Sequence, residues 1–314
     1  MKDFTQMEKL KKHLSPLLLV LAAMIWGFAF SAQKAAGALS PLTLGMARSF
    51  IAAAFLIPVI IIFDKLFNTG RTLFSKKKII DVNKSELLGG TVCGTVLAVA
   101  SFFQQFGINS GTDAGKASFI TALYVVLVPI YALLLKRKAP LNVWLSLPVA
   151  VVGFYLLCIT GGFKILFSDA FVLISALIFP IHILSIDRFS PVCDGVRMSL
   201  VQFFVSGALN LILALIFESP IDFPMIAECI LPILFLGVGS SGIAYTLQII
   251  GQRGANPAAA SILLSLESVF GVIGSAIFLG EKMSGREYAG SAVVFVAVII
   301  SQLDFKALFK KEKR

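Results

Sequence analysis

The chain has 314 residues, of which 58% are hydrophobic and 14% charged, with a mean hydropathy of +0.92 and a formal net charge of +10. A soluble domain carries about 25% charged residues, so this composition excludes one and describes an integral membrane protein. The basic excess does not point to nucleic acid, because the Lys and Arg residues sit in short segments between apolar runs.

Residues 1–14 form a basic head with Lys2, Lys9, Lys11 and Lys12. The first apolar run, Ser15–Lys34, is too long for the apolar part of a signal peptide, and nine more follow it. They lie at about 41–63, 86–108, 114–135, 141–160, 167–187, 195–217, 229–250, 257–279 and 287–304, and a basic tail fills 305–314. About 20 apolar residues cross a hydrocarbon core of ~30 Å. No run alternates as a barrel strand does, so each is helical, the open-chain form that satisfies its own backbone in lipid. With the N-terminus inside, 21 Lys and Arg fall on the inner side and 5 on the outer. Basic loops stay inside, which gives a multi-pass protein of the cell (cytoplasmic) membrane with both termini cytoplasmic.

A shift of 143 residues aligns Gln105 with Gln248, Gly111 with Gly254, Ser118 with Ser261 and Val126 with Val269. The matches are collinear and mark a duplication, with one repeat at 15–160 and the second at 161–304. Five spans per copy is an odd number, so the second copy enters the membrane upside down. The expected fold is therefore all-α, with ten transmembrane helices arranged as two inverted five-helix repeats. Such repeats place a substrate near the midplane between the halves.

Glu267 stands in the middle of the ninth run, where a charge costs about 3 kcal/mol or more. It reads as a proton site or partner of a positive substrate group, or as a structural carboxylate held by neighbouring serines; a second carboxylate, Glu281, ends the run. Ser261, Ser265 and Ser268 share its helical stripe. Arg48 lies about 10 Å into the second helix, either as packing glue or as a partner of Glu267. His182 reads as a proton relay or as a hydrogen-bonded histidine between helices. Gln105 and Gln248 gain weight as equivalent amides at membrane depth, beside Gln104 and Gln202. Trp26 sits mid-span next to Gly27, and with Tyr124 and Tyr245 it could wall a cationic group by cation–π contact. Tyr124 occupies the position equivalent to Glu267. The candidate cavity set is thus Trp26, Gln105, Tyr124, Tyr245, Gln248 and Glu267, supported by Arg48, His182, Ser261 and Ser265.

Gly237–Gly242 matches GxGxxG but lies inside a membrane run without a βαβ unit, so it reads as close helix packing. The four cysteines, Cys93, Cys158, Cys193 and Cys229, have no metal or disulfide spacing. No catalytic motif is present, and neither a metal nor an organic cofactor is implied; proton coupling stays open through Glu267.

Two blocks, GKASFITALYVVLVPIYALLLKRKAP and AASILLSLESVFGVIGSAIFLGEKMSGREYAG, resemble the EamA family of the drug/metabolite transporter superfamily. Met24-Ile25-Trp26-Gly27 and Met46-Ala47-Arg48 are similar to its first- and second-helix motifs. The resemblance implies ten helices in two inverted halves and alternating-access movement of small metabolites or drugs. Two departures stand out. Lys136-Arg137-Lys138 replaces a frequent "GE", implying a loop held by charge rather than by a carboxylate contact. Ser268 replaces a frequent proline, implying a straighter ninth helix.

The function expected is secondary transport of a small polar or zwitterionic metabolite, amino-acid-like or drug-like, in the direction of export. The alternatives are uptake of an organic cation such as choline and, in another class, a membrane scaffold or sensor without transport. The expected partners are a small-molecule substrate and membrane lipids, with no nucleic acid, and the protein acts as a monomer or homodimer.

Overall fold

The structure is a computed structural model that describes residues 2–66, 82–158, 166–280 and 284–303. Glu281 and the basic tail lie outside these residues. The described elements are helical, in the order α1 (Lys2–Ala35), α2 (Pro41–Leu66), α3 (Lys84–Asn109), α4 (Ala114–Ala122), α5 (Tyr124–Leu134), α6 (Leu141–Cys158) and α7 (Phe167–Phe189). There follow α8 (Gly195–Phe217), α9 (Phe223–Glu228), α10 (Ile230–Leu234), a π-helical stretch (Phe235–Ala244), α11 (Tyr245–Gln252), α12 (Pro257–Leu264), α13 (Glu267–Leu279) and α14 (Gly285–Gln302). Among the described residues, eight helical runs are long and apolar enough to cross a membrane. Three of them are joined from shorter pieces: α4 with α5, α10 through α11, and α12 with α13. The shorter α6 and α14 pack along one another.

Local chemistry sets the helix ends. Asn83 and Glu86 close a capping box at the start of α3, and Ser284 and Glu287 do the same for α14. Asp194 caps α8 and Asn256 caps α12, with Pro257 at the first helical position, where its missing N–H costs nothing. Glu86 is fully buried, and its second carboxylate oxygen accepts from the Asp194 backbone N–H at 3.2 Å, so one side chain ties two helix starts together.

The packing is inverted relative to a soluble protein. Large apolar side chains such as Phe167, Leu134, Phe217 and Leu231 are exposed, while Gln33, Gln104, Gln202, Gln248 and Gln252 are buried. That is the distribution expected where the surrounding solvent is lipid and polar groups must find partners inside. Small residues let the helices close up. Gly27 of α1 is seated so tightly on α13 that a Cβ there would meet the Glu267 carbonyl oxygen and the Gly271 nitrogen at 2.7 Å. Gly237 rests on Ile51, and Gly242 on Phe55, both of α2. The GxGxxG match is therefore a packing face between the π-helical stretch and α2.

Ion pairs link elements near the two ends of the helices. Lys116, at the start of α4, pairs with Asp169 of α7, which also accepts from Thr112 at 3.0 Å. At the other end of the same pair, Arg137 bonds Asp187 of α7. The basic stretch 136–138 is thus held by a carboxylate contact, contrary to the expectation from its departure from the family pattern. Arg197 bonds Asp64 at 2.6 Å, joining α8 to α2.

Candidate functional site

Two of the three broken runs share one kind of break. Between α4 and α5 the chain tightens at Leu123, whose N–H bonds the Ile120 carbonyl three residues back; Val126 does the same to Leu123. Between α12 and α13 the same short spacing recurs at Leu266 and Ser268. The Ser261 and Ser265 hydroxyls turn back onto the Ala258 and Ile262 carbonyls of their own helix, at 2.8 and 2.7 Å. Such back-bonding offers the backbone an alternative to the helical ladder. The run therefore breaks without a proline, and the straighter helix implied by Ser268 is not what forms. Tyr124 begins α5 and Glu267 begins α13, so each break presents its first side chain inward.

These side chains meet at a narrow hollow. Its wall includes Trp26 of α1, Arg48 of α2, Tyr124 of α5, His182 of α7, Tyr245 and Gln248 of α11, and Glu267 of α13. The free space is about 40 Å³, far below the ~300–1,000 Å³ of ligand pockets, so the walls are drawn together. Trp26 donates its indole N–H to the Ser240 carbonyl at 3.2 Å, and its ring lies 4.6 Å from that of Tyr245. Tyr245 in turn packs edge-on against His182 and Phe203, each at 5.6 Å. The His182 ring shares a hydrogen bond of 3.1 Å with the Gln202 side-chain oxygen.

Three polar atoms on this wall are buried without a hydrogen bond of normal geometry, the Tyr124 hydroxyl, Gln248 Oε1 and Glu267 Oε1, and Tyr124 and Glu267 interact with each other only outside that geometry. Glu267 is only 4% exposed. Arg48 does not pair with it. Its guanidinium donates to the hydroxyls of Ser240 and Ser241, both at 3.0 Å. The π-helical stretch carries both serines; wide turns of this kind are frequent at functional sites.

Of the sequence-derived set, the hollow gathers Trp26, Tyr124, Tyr245, Gln248, Glu267, Arg48 and His182. Gln105 is elsewhere: its amide donates to the Gln33 carbonyl at 3.2 Å and to Asn109 at 2.8 Å. Its neighbour Gln104 takes the place on the wall, held by Gln33 at 3.0 Å and by Thr121 at 3.0 Å. Ser261 and Ser265 are also off the wall, and they shape the helix break instead. Gln33, Ser101, Thr121 and Ser240 line the hollow without having been singled out in the sequence. Gln33 was within reach of periodicity, since 26, 29/30 and 33 follow the i, i+3, i+4, i+7 stripe of one helix face.

A helical body with an apolar exterior and buried polar side chains defines a multi-pass membrane protein. The model of the EamA-like transporter family matches twice, over residues 13–159 and 166–303. The chain belongs to the EamA-like transporter family. It is 30% identical over 301 residues to a protein of Archaeoglobus fulgidus named an uncharacterized transporter, covering 94% of this chain and 88% of that protein. A crystal structure at 17% identity superposes with a TM-score of 0.71, covering 91% of this chain and 96% of the other, and so shares the fold. The protein is a membrane transporter rather than an enzyme.

Proposed function

We propose that this transporter moves a small polar or zwitterionic metabolite across the cytoplasmic membrane by alternating access, in the direction of export. The carrying observation is the drawn-in hollow, where the buried Tyr124 hydroxyl, Gln248 Oε1 and Glu267 Oε1 make no hydrogen bond of normal geometry. Buried polar groups are normally paired, and groups left waiting around a closed space suit a site that completes its bonding with a solute. Two inverted halves of five spans each, ten in all, are the framework we assign. The doubled family match supports it. So does the recurrence of the helix break, which puts Tyr124 and Glu267 at the same offset of 143 residues as Gln105 and Gln248. The excess of Lys and Arg on one side favours cytoplasmic termini. The hollow is too small for a metabolite as it stands, so loading requires the halves to part.

Counterflow into proteoliposomes tests this reading, with a panel of radiolabelled amino acids and small polar metabolites. Uptake is expected for at least one member and is expected to be lost in Glu267→Gln and strongly reduced in Trp26→Ala. If both variants transported every active substrate as well as the parent, the hollow would not be the transport site.

Uptake of an organic cation is the second reading, favoured by the Trp26–Tyr245 ring pair beside Glu267. It predicts thermal stabilisation by quaternary ammonium compounds, and a flat response across the series would remove it.

A further inference from the structure

A second space opens between α5 and α7, and it shares no wall residue with the central hollow. It measures about 410 Å³, inside the ~300–1,000 Å³ of ligand pockets. Leu134, Leu135 and Ile181 on its walls are exposed, so the space is a groove on the side turned to lipid. Two of its polar side chains are spent on backbone. The Tyr131 hydroxyl donates to the Leu177 carbonyl at 3.3 Å, and the Ser185 hydroxyl to the Ile181 carbonyl at 2.7 Å. Arg188, at one end, is different: it is exposed, and among the described residues it forms no ion pair. The adjacent carboxylate, Asp187, is already engaged by Arg137. Lys136 and Lys138, exposed on either side of Arg137, add positive charge in the turn that follows α5.

We propose that this groove holds one anionic phospholipid, with an acyl chain laid against Leu134, Ile181 and Leu184 and the phosphate on Arg188. The dimensions fit. From Leu177 to Arg188, α7 rises about 16 Å at ~1.5 Å per residue, and one leaflet of a ~30 Å hydrocarbon core is about 15 Å deep. The chemistry fits as well. Long basic side chains near helix ends reach to the head-group level, and a guanidinium matches phosphate oxygens bidentately. Basic clusters at the ends of membrane helices recognise anionic head groups in this way. A zwitterionic lipid carries its own ammonium, which competes with Arg188 for the phosphate. A free phosphate would leave the apolar walls unused. A second copy of this chain, with a net charge of +10, would bring like charge to the basic end. The site stands independently of the transported solute.

The test uses the full-length protein, purified in detergent and washed free of co-purified lipid. Native mass spectrometry follows the binding of added phosphatidylglycerol, phosphatidylcholine and the chain-free head group glycerophosphoglycerol. The parent is expected to hold one phosphatidylglycerol about fivefold more tightly than phosphatidylcholine, the effect of one basic side chain at the membrane surface. The chain-free head group should bind far more weakly than either lipid. Arg188→Gln is expected to erase the preference between the two lipids, and Ser185→Trp, which fills the groove, to lose the bound lipid. Arg253→Gln is the control, since that residue lies on another loop and bonds the Pro191 carbonyl at 3.1 Å; its preference should match the parent's. Equal binding of the two lipids by the parent would overturn the proposal, and that comparison needs no variant to fold. Equal loss of preference in Arg188→Gln and Arg253→Gln would mean diffuse surface charge and also overturn it. So would binding of the chain-free head group as tight as that of the lipid. Dimers of the washed parent that vanish in Ser185→Trp would assign the groove to a second copy instead.

Discussion

Tyr124 shows what an unsatisfied atom can be used for. Its hydroxyl is buried and makes no hydrogen bond of normal geometry, interacting with Glu267 only outside that geometry, so deleting it costs this state little. Replacing a polar group that lacks a partner is nearly neutral or stabilising. Tyr124→Phe is therefore expected to leave the melting temperature within a degree or two of the parent. If the hydroxyl serves a solute, the same variant weakens the concentration dependence of counterflow by roughly ten- to hundredfold, the ~1.5–3 kcal/mol of a hydrogen bond to a charged group. A stable variant with unchanged half-saturation would take Tyr124 off the substrate. Costly polar residues in apolar runs were what the sequence could reveal, and Trp26, Arg48, Tyr124, His182, Tyr245, Gln248 and Glu267 all lie on the wall. The choice between Gln104 and Gln105 was not legible. Adjacent residues differ by about 100° around a helix, and only the packing of α3 against α1 and α7 decides which amide turns inward. Nor does the sequence say that Ser261 and Ser265 spend their hydroxyls on their own backbone.

Eight of the apolar runs are helices long and apolar enough to cross a membrane among the described residues, but their interruptions were not legible. Prolines usually signal breaks, yet Pro58, Pro129 and Pro180 all lie inside elements that continue through them. The breaks at Leu123 and Ser265–Leu266 contain neither proline nor glycine. They arise from side-chain competition and from packing across to other helices, where Ser268 reaches the Ser118 carbonyl at 3.4 Å and Gly271 leaves room for Ser118. A glycine that allows such an approach has a measurable cost of replacement. Gly27→Val places a branched side chain where a single Cβ already meets α13 backbone at 2.7 Å, so α1 and α13 must part. The expected loss is on the order of 1–3 kcal/mol of stability, as for other overpacked sites, together with reduced transport because Glu267 begins the displaced helix. Gly115→Ala is the control, since a Cβ there meets nothing within 4 Å. Its melting temperature should match that of the parent, and equal destabilisation by both substitutions would refute the close-approach account.

At the scale of the whole molecule, the ties between elements are unequal. α4 and α5 are fastened to α7 by ion pairs at both ends, Lys116 with Asp169 and Arg137 with Asp187. Their proposed counterparts, α12 and α13, meet α1 without an ion pair among the described residues, through the close approach of Gly27 to α13 and the Phe28 ring against Phe270 and Phe278. An apolar seam can separate without breaking an ion pair, whereas the doubly pinned one holds α4 and α5 to α7. All of this presumes that the two copies lie upside down to one another, and accessibility distinguishes the arrangements. Asp113 and Arg253 sit on exposed loops shortly before α4 and α12. Parallel copies would put them on the same side of the membrane. Inverted copies put Asp113 outside and Arg253 inside, because five spans per copy reverse the direction of entrance. In a background with Cys93, Cys158, Cys193 and Cys229 replaced by alanine, Asp113→Cys is expected to react with an impermeant maleimide on intact cells. Arg253→Cys should react only after the membrane is opened. Labelling of both from the same face would leave the shared hollow without its symmetry, and Tyr124 and Glu267 could not be facing partners across it.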